Sequence, residues 1–105
     1  MKEQSFAQGV YKLTKLIPKG KVSTYKEVAG SLNNPKAARA VGNALNKNPY
    51  APQVPCHRVI KSNGEVGGFA GGTNKKIAIL KKEAIIIDKG KIDLKKYLYE
   101  FKVKK

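Results

Sequence analysis

The run Pro55-Cys56-His57-Arg58-Val59 sets a thiol, an imidazole and a guanidinium in consecutive positions. A cationic neighbourhood favours thiolate over thiol, and thiolate is the form that attacks carbon. Cys56 is therefore a candidate nucleophile and His57 a candidate base. The same residues have a plainer reading, in which a free cysteine packs as a small hydrophobe and a lone histidine is a structural hydrogen-bonder. Five residues alone leave both readings open. The chain has 1 Cys and 1 His, so it can form no intrachain disulfide and cannot assemble the usual four-ligand Cys/His zinc site. No metal and no cofactor are expected.

Of 22 Lys plus Arg, only Arg39 and Arg58 are arginine. In a composition so biased to lysine, each arginine is expected to do what lysine cannot, such as planar bidentate or stacked contact. The 22 basic residues face 7 acidic ones, a net charge of +15. That exceeds what solubility requires and points to a polyanionic partner, with nucleic acid ahead of an anionic membrane surface. No apolar run approaches the roughly 20 residues of a spanning helix, and Met1 to Gln4 are not followed by a signal-peptide core. The expectation is an intracellular, cytoplasmic, DNA-associated monomer that engages no membrane.

The elements that must position these residues can be read from periodicity and caps. Phe6, Val10, Leu13, Leu16 and Ile17 lie at helical spacing after Ser5, a suitable N-cap, and Pro18-Lys19-Gly20 ends that helix. Thr24-Tyr25-Lys26-Glu27 has the form of a capping box, with Val28 and Leu32 continuing an apolar face. Pro35 suits a first helical position and opens a third helix to about Lys47, with Ala37, Val41, Ala44 and Leu45 inside. Two short helices joined by a tight turn predict a helix-turn-helix whose third helix meets DNA.

Val59 to Lys61, a turn at Ser62-Asn63-Gly64 and then Glu65-Val66 predict a small hairpin, the wing. The glycine-rich Gly67 to Gly72 suits a loop that approaches a ligand with its backbone. Thr73 is the predicted cap of a fourth helix carrying Ile77, Leu80 and Ala84. Ile85 to Ile87, a turn at Asp88-Lys89-Gly90, and Asp93 capping Leu94 to Phe101 complete the chain as a strand and a last helix. The fold class is thus mainly α with a small β wing, a winged helix-turn-helix-like domain. At 105 residues it forms one domain over 1–105.

Taken together, Lys36-Ala37-Ala38-Arg39-Ala40-Val41-Gly42, Asn48-Pro49, Pro55-Cys56-His57-Arg58-Val59-Ile60, the Gly-rich loop and Glu83 resemble the DNA-binding catalytic domain of the 6-O-alkylguanine-DNA alkyltransferases. The resemblance runs from about Phe6 to Glu83. It implies stoichiometric transfer of an alkyl group from 6-O-alkylguanine in double-stranded DNA to Cys56, with base flipping and minor-groove binding. By the same resemblance His57 deprotonates Cys56 through a water and Glu83 orients His57, the logic of nucleophile, base and orienting carboxylate. Asn48 braces the neighbouring turn. Tyr25 hydrogen-bonds the target guanine and helps neutralise the leaving base. Arg39 takes the flipped base's place in the stack. The substrate pocket is implied at Val59, Phe69, Ala70, Gly71, Lys76 and Arg58, with the carbonyls of Cys56 and Val59 on the guanine amino group and the Ala70 N–H at its O6.

The third helix is consistent with this reading, because Ala37, Ala38, Ala40, Gly42 and Ala44 surround Arg39 with little bulk, and Lys36 just before them is a further DNA-binding candidate. A face of that kind fits a minor groove about 6 Å wide. Alanine is also simply a good helix former that packs tightly against a core. The chain departs from the family in three places. The accessory N-terminal domain of longer members is not expected here. A common family Tyr-Ser pair is Phe69-Ala70, and a usual Glu-Gly is Glu83-Ala84. Two other functions compete: a non-enzymatic lesion sensor like the alkyltransferase-like proteins, which typically carry Trp at the cysteine position, and a plain basic winged-helix protein. The chain has no Trp, and the plain protein leaves Asn48, Cys56, His57 and Glu83 unexplained.

Overall fold

A computed structural model describes residues 6–50, 53–68 and 72–101. Helix α1 (Phe6–Thr14) leads into strand β1 (Ser23–Thr24), α2 (Tyr25–Ser31) and α3 (Ala38–Asn46). A 3-10 turn (Cys56–Arg58) runs directly into β2 (Val59–Ile60), followed by α4 (Thr73–Lys82), the hairpin β3 (Ile87–Asp88) and β4 (Lys91–Ile92), and α5 (Leu94–Tyr97).

The capping box forms: the Glu27 amide donates to Thr24 Oγ1 at 3.0 Å. At its other end α2 closes on Asn33, with φ of +60°. The Asn34 amide reaches Ala29 O and the Asn33 amide Gly30 O, the bond pair of a Schellman cap, in a conformation asparagine tolerates. Helix α3 buries Val41, Ala44 and Leu45 against α1 and α2, so the helix-turn-helix rests on one apolar cluster. That cluster comprises Val10, Tyr11, Ile17, Val28, Ala29, the inner face of α3, Val54 and Val59.

A second cluster gathers Val22, Ile60, Val66, Leu80, Ile85, Ile92 and Tyr97. The two meet at β2, whose consecutive residues point to opposite sides: Val59 joins the first cluster and Ile60 the second. The turn that carries Cys56 therefore emerges from the seam between the two halves of the core.

Several expectations are corrected. Helix α1 stops at Thr14, because the Leu16 and Ile17 amides bond back to Leu13 and Thr14 in tighter turns, and Leu16 is left exposed. Pro35 does not open α3. It lies in a turn closed by Ala37 N–H to Asn34 O, and the helix begins at Ala38. The wing hairpin is replaced by a parallel pairing of β2 with β1, Ser23 opposite Val59 and Thr24 opposite Ile60. The turn after it is real, with Lys61 N–H to Glu65 O and Gly64 N–H to Lys61 O, but Glu65 then bridges to Lys91.

Gly72, not Thr73, caps α4, and the Thr73 hydroxyl donates to Gly67 O instead. Ala84 lies beyond α4 and exposed. Asp93 does cap α5, accepting from the Lys95 amide. That helix ends at Tyr97, and Leu98 pairs with Val22 beside β1. Among the described residues no helix is long and apolar enough to cross a membrane.

Candidate functional site

Cys56 opens the 3-10 turn, half-buried, with its amide donating to Val54 O at 2.8 Å. The segment leading to it is held by Asn48, whose Nδ2 donates to Val54 O at 2.8 Å while its Oδ1 accepts from the Tyr50 amide. One asparagine thus ties the end of α3 to both Tyr50 and Val54, and the position of Cys56 follows from that of α3.

Behind the thiol lies a buried charge cluster. Glu83 caps the C-terminus of α4, and its Oε2 accepts from His57 Nε2 at 3.0 Å. Arg58 donates to the same carboxylate with both arms of its fork, Nε to Oε1 at 2.9 Å and Nη2 to Oε2 at 2.7 Å, while Nη1 donates to Ile17 O. Burial alone would raise the Glu83 carboxyl; the bonds from Arg58 and His57 outweigh it and hold the group below the usual carboxylate range. An ionised carboxylate only accepts, so Nε2 carries the imidazole proton and Nδ1 keeps its lone pair. Burial keeps His57 below the ordinary histidine value; Glu83 pulls it up, and Arg58 and Lys76 push it down. His57 is thus a neutral imidazole, one residue from the thiol, with a free basic nitrogen.

Lys76 is the largest fully buried side chain, 1 % exposed. Its Nζ donates to Val59 O at 2.8 Å, Gly68 O at 3.0 Å and Tyr25 Oη at 3.3 Å, so all three ammonium protons have acceptors. Desolvation lowers it to about 8, against a partial upward pull from Cys56. Since the Tyr25 oxygen accepts from Lys76, the phenol's own proton is free to point elsewhere. Burial and the nearby Cys56 raise the Tyr25 hydroxyl above its usual value, which keeps it a donor.

Tyr25 forms one wall of an open cleft of about 470 Å³ that also includes Ala38, Arg39, Gly42, Gly67 and Gly68. Gly67 is required there: its φ is +80°, and a Cβ would lie 3.2 Å from both Tyr25 Oη and Lys61 Cγ. A larger groove of about 650 Å³ between α2 and the C-terminal segment contains none of the chemistry-bearing residues.

The expected site residues separate into groups. His57, Glu83 and Arg58 meet directly, as do Lys76, Tyr25 and Val59. Arg58 donates to Glu83 and to Ile17 O and does not line the cleft beside Tyr25. Arg39 and Ala40 are exposed on α3 and Lys36 in the turn before it, whereas Ala37 is partly buried against the core. The Cys56 and Val59 carbonyls already accept from the Val59 amide and Lys76. Phe69, Ala70 and Gly71 lie outside the described residues. Sequence reasoning missed Asn43, Asn46 and Lys61, which line the cleft. The i, i+4 and i, i+7 spacing from Arg39 to Asn43 and Asn46 was the available signal.

A helix-turn-helix domain whose second helix fronts an open cleft, with a cysteine, a neutral histidine and an ionised glutamate packed behind it, is the class that fold and site define. The chain belongs to the 6-O-methylguanine DNA methyltransferase family, whose DNA-binding domain matches residues 5–85. A methylated-DNA–protein-cysteine methyltransferase of Methanosarcina acetivorans is 50% identical over 78 residues, 74% of this chain and 50% of that protein. The chain spans about half the length of most curated relatives it matches, and 30% of a bifunctional methyltransferase/endonuclease of Picrophilus torridus.

Among solved structures, S. pombe Atl1 in complex with damaged DNA containing O6-carboxymethylguanine superimposes with a TM-score of 0.83 at 33% identity, covering 95% of this chain and 99% of that one. Mycobacterium tuberculosis OGT in complex with DNA gives 0.74 at 44% identity, covering 79% of this chain and 51% of that one.

Proposed function

We propose that this chain repairs alkylated DNA directly, moving the alkyl group from O6 of a flipped guanine to Sγ of Cys56 in a single turnover. The observation that carries the reading is the hydrogen bond between His57 and Glu83 immediately behind Cys56, which leaves Nδ1 able to accept the thiol proton through a water. The sulfur then forms a bond to the alkyl carbon as the C–O6 bond breaks, and that electron pair leaves with the guanine. Tyr25, hydrogen-bonded by Lys76, supplies a proton to the departing base. Arg39, Ala38, Ala40 and Gly42 form the face of α3 that enters the minor groove, with Arg39 filling the gap left by the flipped base and Lys36 near a phosphate. Val59, Phe69, Ala70 and Gly71 are the residues assigned to the substrate pocket. DNA containing alkylated guanine is the partner, and the single domain acts as a monomer.

A thioether is not reversed by thiol exchange, and the sequence holds no second Cys. Titration against about a tenfold excess of methylated duplex should therefore remove one methyl per protein molecule. A count clearly above one would show turnover and overturn the single-use mechanism.

The second reading is a lesion-binding protein that transfers nothing, like Atl1. It is favoured by the likeness of fold, a TM-score of 0.83 to Atl1 against 0.74 to the transferase. Under that reading the titration removes no methyl at all while binding persists.

A further inference from the structure

Arg58 presents all three of its nitrogens to fixed acceptors. Two bonds close a fork on the two oxygens of Glu83 at 2.9 and 2.7 Å, and the third, at 2.9 Å, fixes the guanidinium to the carbonyl of Ile17. The side chain therefore joins the segment after α1, the Cys56 turn and the end of α4. The arginine and glutamate side chains are 16% and 10% exposed, so solvent screens the pair weakly. Oε2 of Glu83 is shared: it accepts from Arg58 and from His57 Nε2.

We propose that Arg58 is a positioning residue for the proposed transfer: by clamping both oxygens of Glu83 it fixes the edge the carboxylate offers to His57 and leaves the imidazole uncharged, with Nδ1 free to accept a proton. The inference rests on His57 acting as the base. The charges that face His57 are Glu83 and Lys76 from α4 and Arg58 from its own turn, with the Cys56 sulfur next along the chain. Only Glu83 favours the imidazolium; an unclamped Glu83 would pair with it at full strength and would also be free to rotate. A lysine here could supply the charge but not the fork, which gives the scarce arginine its physical reason.

The chain has 1 histidine, so imidazole NMR signals follow His57 alone, without DNA and without any transfer. In the unmodified protein, long-range nitrogen–proton correlations above the titration should show the Nε2–H tautomer. In Arg58→Gln the titration midpoint should rise by about one pH unit or more, with Arg58→Lys, which keeps the charge alone, between the two. An Nδ1–H tautomer in the unmodified protein, or midpoints unchanged in both variants, overturns the inference. The tautomer measurement holds even where Arg58→Gln fails to fold.

The pH profile of methyl transfer separates this inference from the function it rests on. Its acid limb should move upward in the Arg58 variants. Transfer with identical profiles removes the clamp and keeps the repair function. No transfer by the unmodified protein, with the histidine behaving as stated, removes the function and keeps the clamp.

Discussion

The outer face of α3 and the charge cluster behind Cys56 contain the chain's two arginines and are built on opposite terms. Arg39 is exposed and makes no hydrogen bond or ion pair among the described residues, with the small residues Ala38, Ala40 and Gly42 around it. Arg58 is half-buried with every nitrogen bonded. The first arrangement costs the fold nothing and leaves the side chain ready for an external partner. The second is part of the core, where removing one charge strands another. Substitutions on the outer face of α3 should therefore change what the protein does to duplex DNA without changing its stability, whereas substitutions in the cluster should change both.

The largest expected effect lies in the cluster. Glu83→Gln leaves the Arg58 charge uncompensated and His57 unoriented, so it should cost about 3 kcal/mol or more in stability and at least tenfold in transfer rate. His57→Gln should match the loss in rate, and the double variant should fall well short of the product of the two. Chemical denaturation and single-turnover kinetics measure these quantities, and independent effects would break the unit apart.

Arg39→Ala sharpens the contrast. Its stability should stay within about 0.5 kcal/mol of the parent, while transfer from duplex slows tenfold or more. Transfer from a free alkylguanine base, which needs no flipping, should be unchanged. Equal slowing on both substrates would place Arg39 with the cluster.

Lys76 gives a pH-resolved effect of intermediate size. Its proton is held at about 8 in the fold against 10.5 when unperturbed. Between those values the unfolded chain binds the proton and the folded chain does not, so the residue's contribution to stability rises as pH climbs through that window. The unmodified protein should gain melting temperature relative to Lys76→Met from about pH 8 to 10.5; parallel curves would mean that Lys76 is not desolvated.

How far the sequence reveals this arrangement depends on how local each feature is. The helices, the Thr24–Glu27 cap and the inner stripe of α3 are visible because period and capping act within a few residues. The parallel pairing of Ser23-Thr24 with Val59-Ile60 is not, because it joins segments separated by two helices and leaves no local mark, while the nearer Glu65-Val66 offers a competing partner. Nor does composition reveal that Lys76, a type expected at the surface, is the largest of the fully buried side chains. Cys56, His57 and Glu83 emerge through family resemblance. The role of Arg58 requires coordinates, since its acceptors come from two other elements.

The smallest effects test strain outside both regions. Ser23 Oγ is buried without a hydrogen-bond partner, and Ser23→Ala should raise stability by about 1 kcal/mol. Ala84 holds a φ of +70° in a Schellman cap closed by Ile85 N–H to Leu80 O. Ala84→Gly relieves it and should add about 1 kcal/mol. Thermal denaturation reads both, and neither should change the rate of transfer; a slower rate would extend the functional cluster to these positions.

The central claim is that the buried cluster makes Cys56 an alkyl acceptor. Incubation with duplex DNA containing one 6-O-methylguanine, followed by intact mass and peptide mapping, tests it in one step. The account predicts a gain equal to one methyl group, located on Cys56 and absent in Cys56→Ser, which should still bind the duplex. An unchanged mass despite binding, or a methyl group on any other residue, would contradict it.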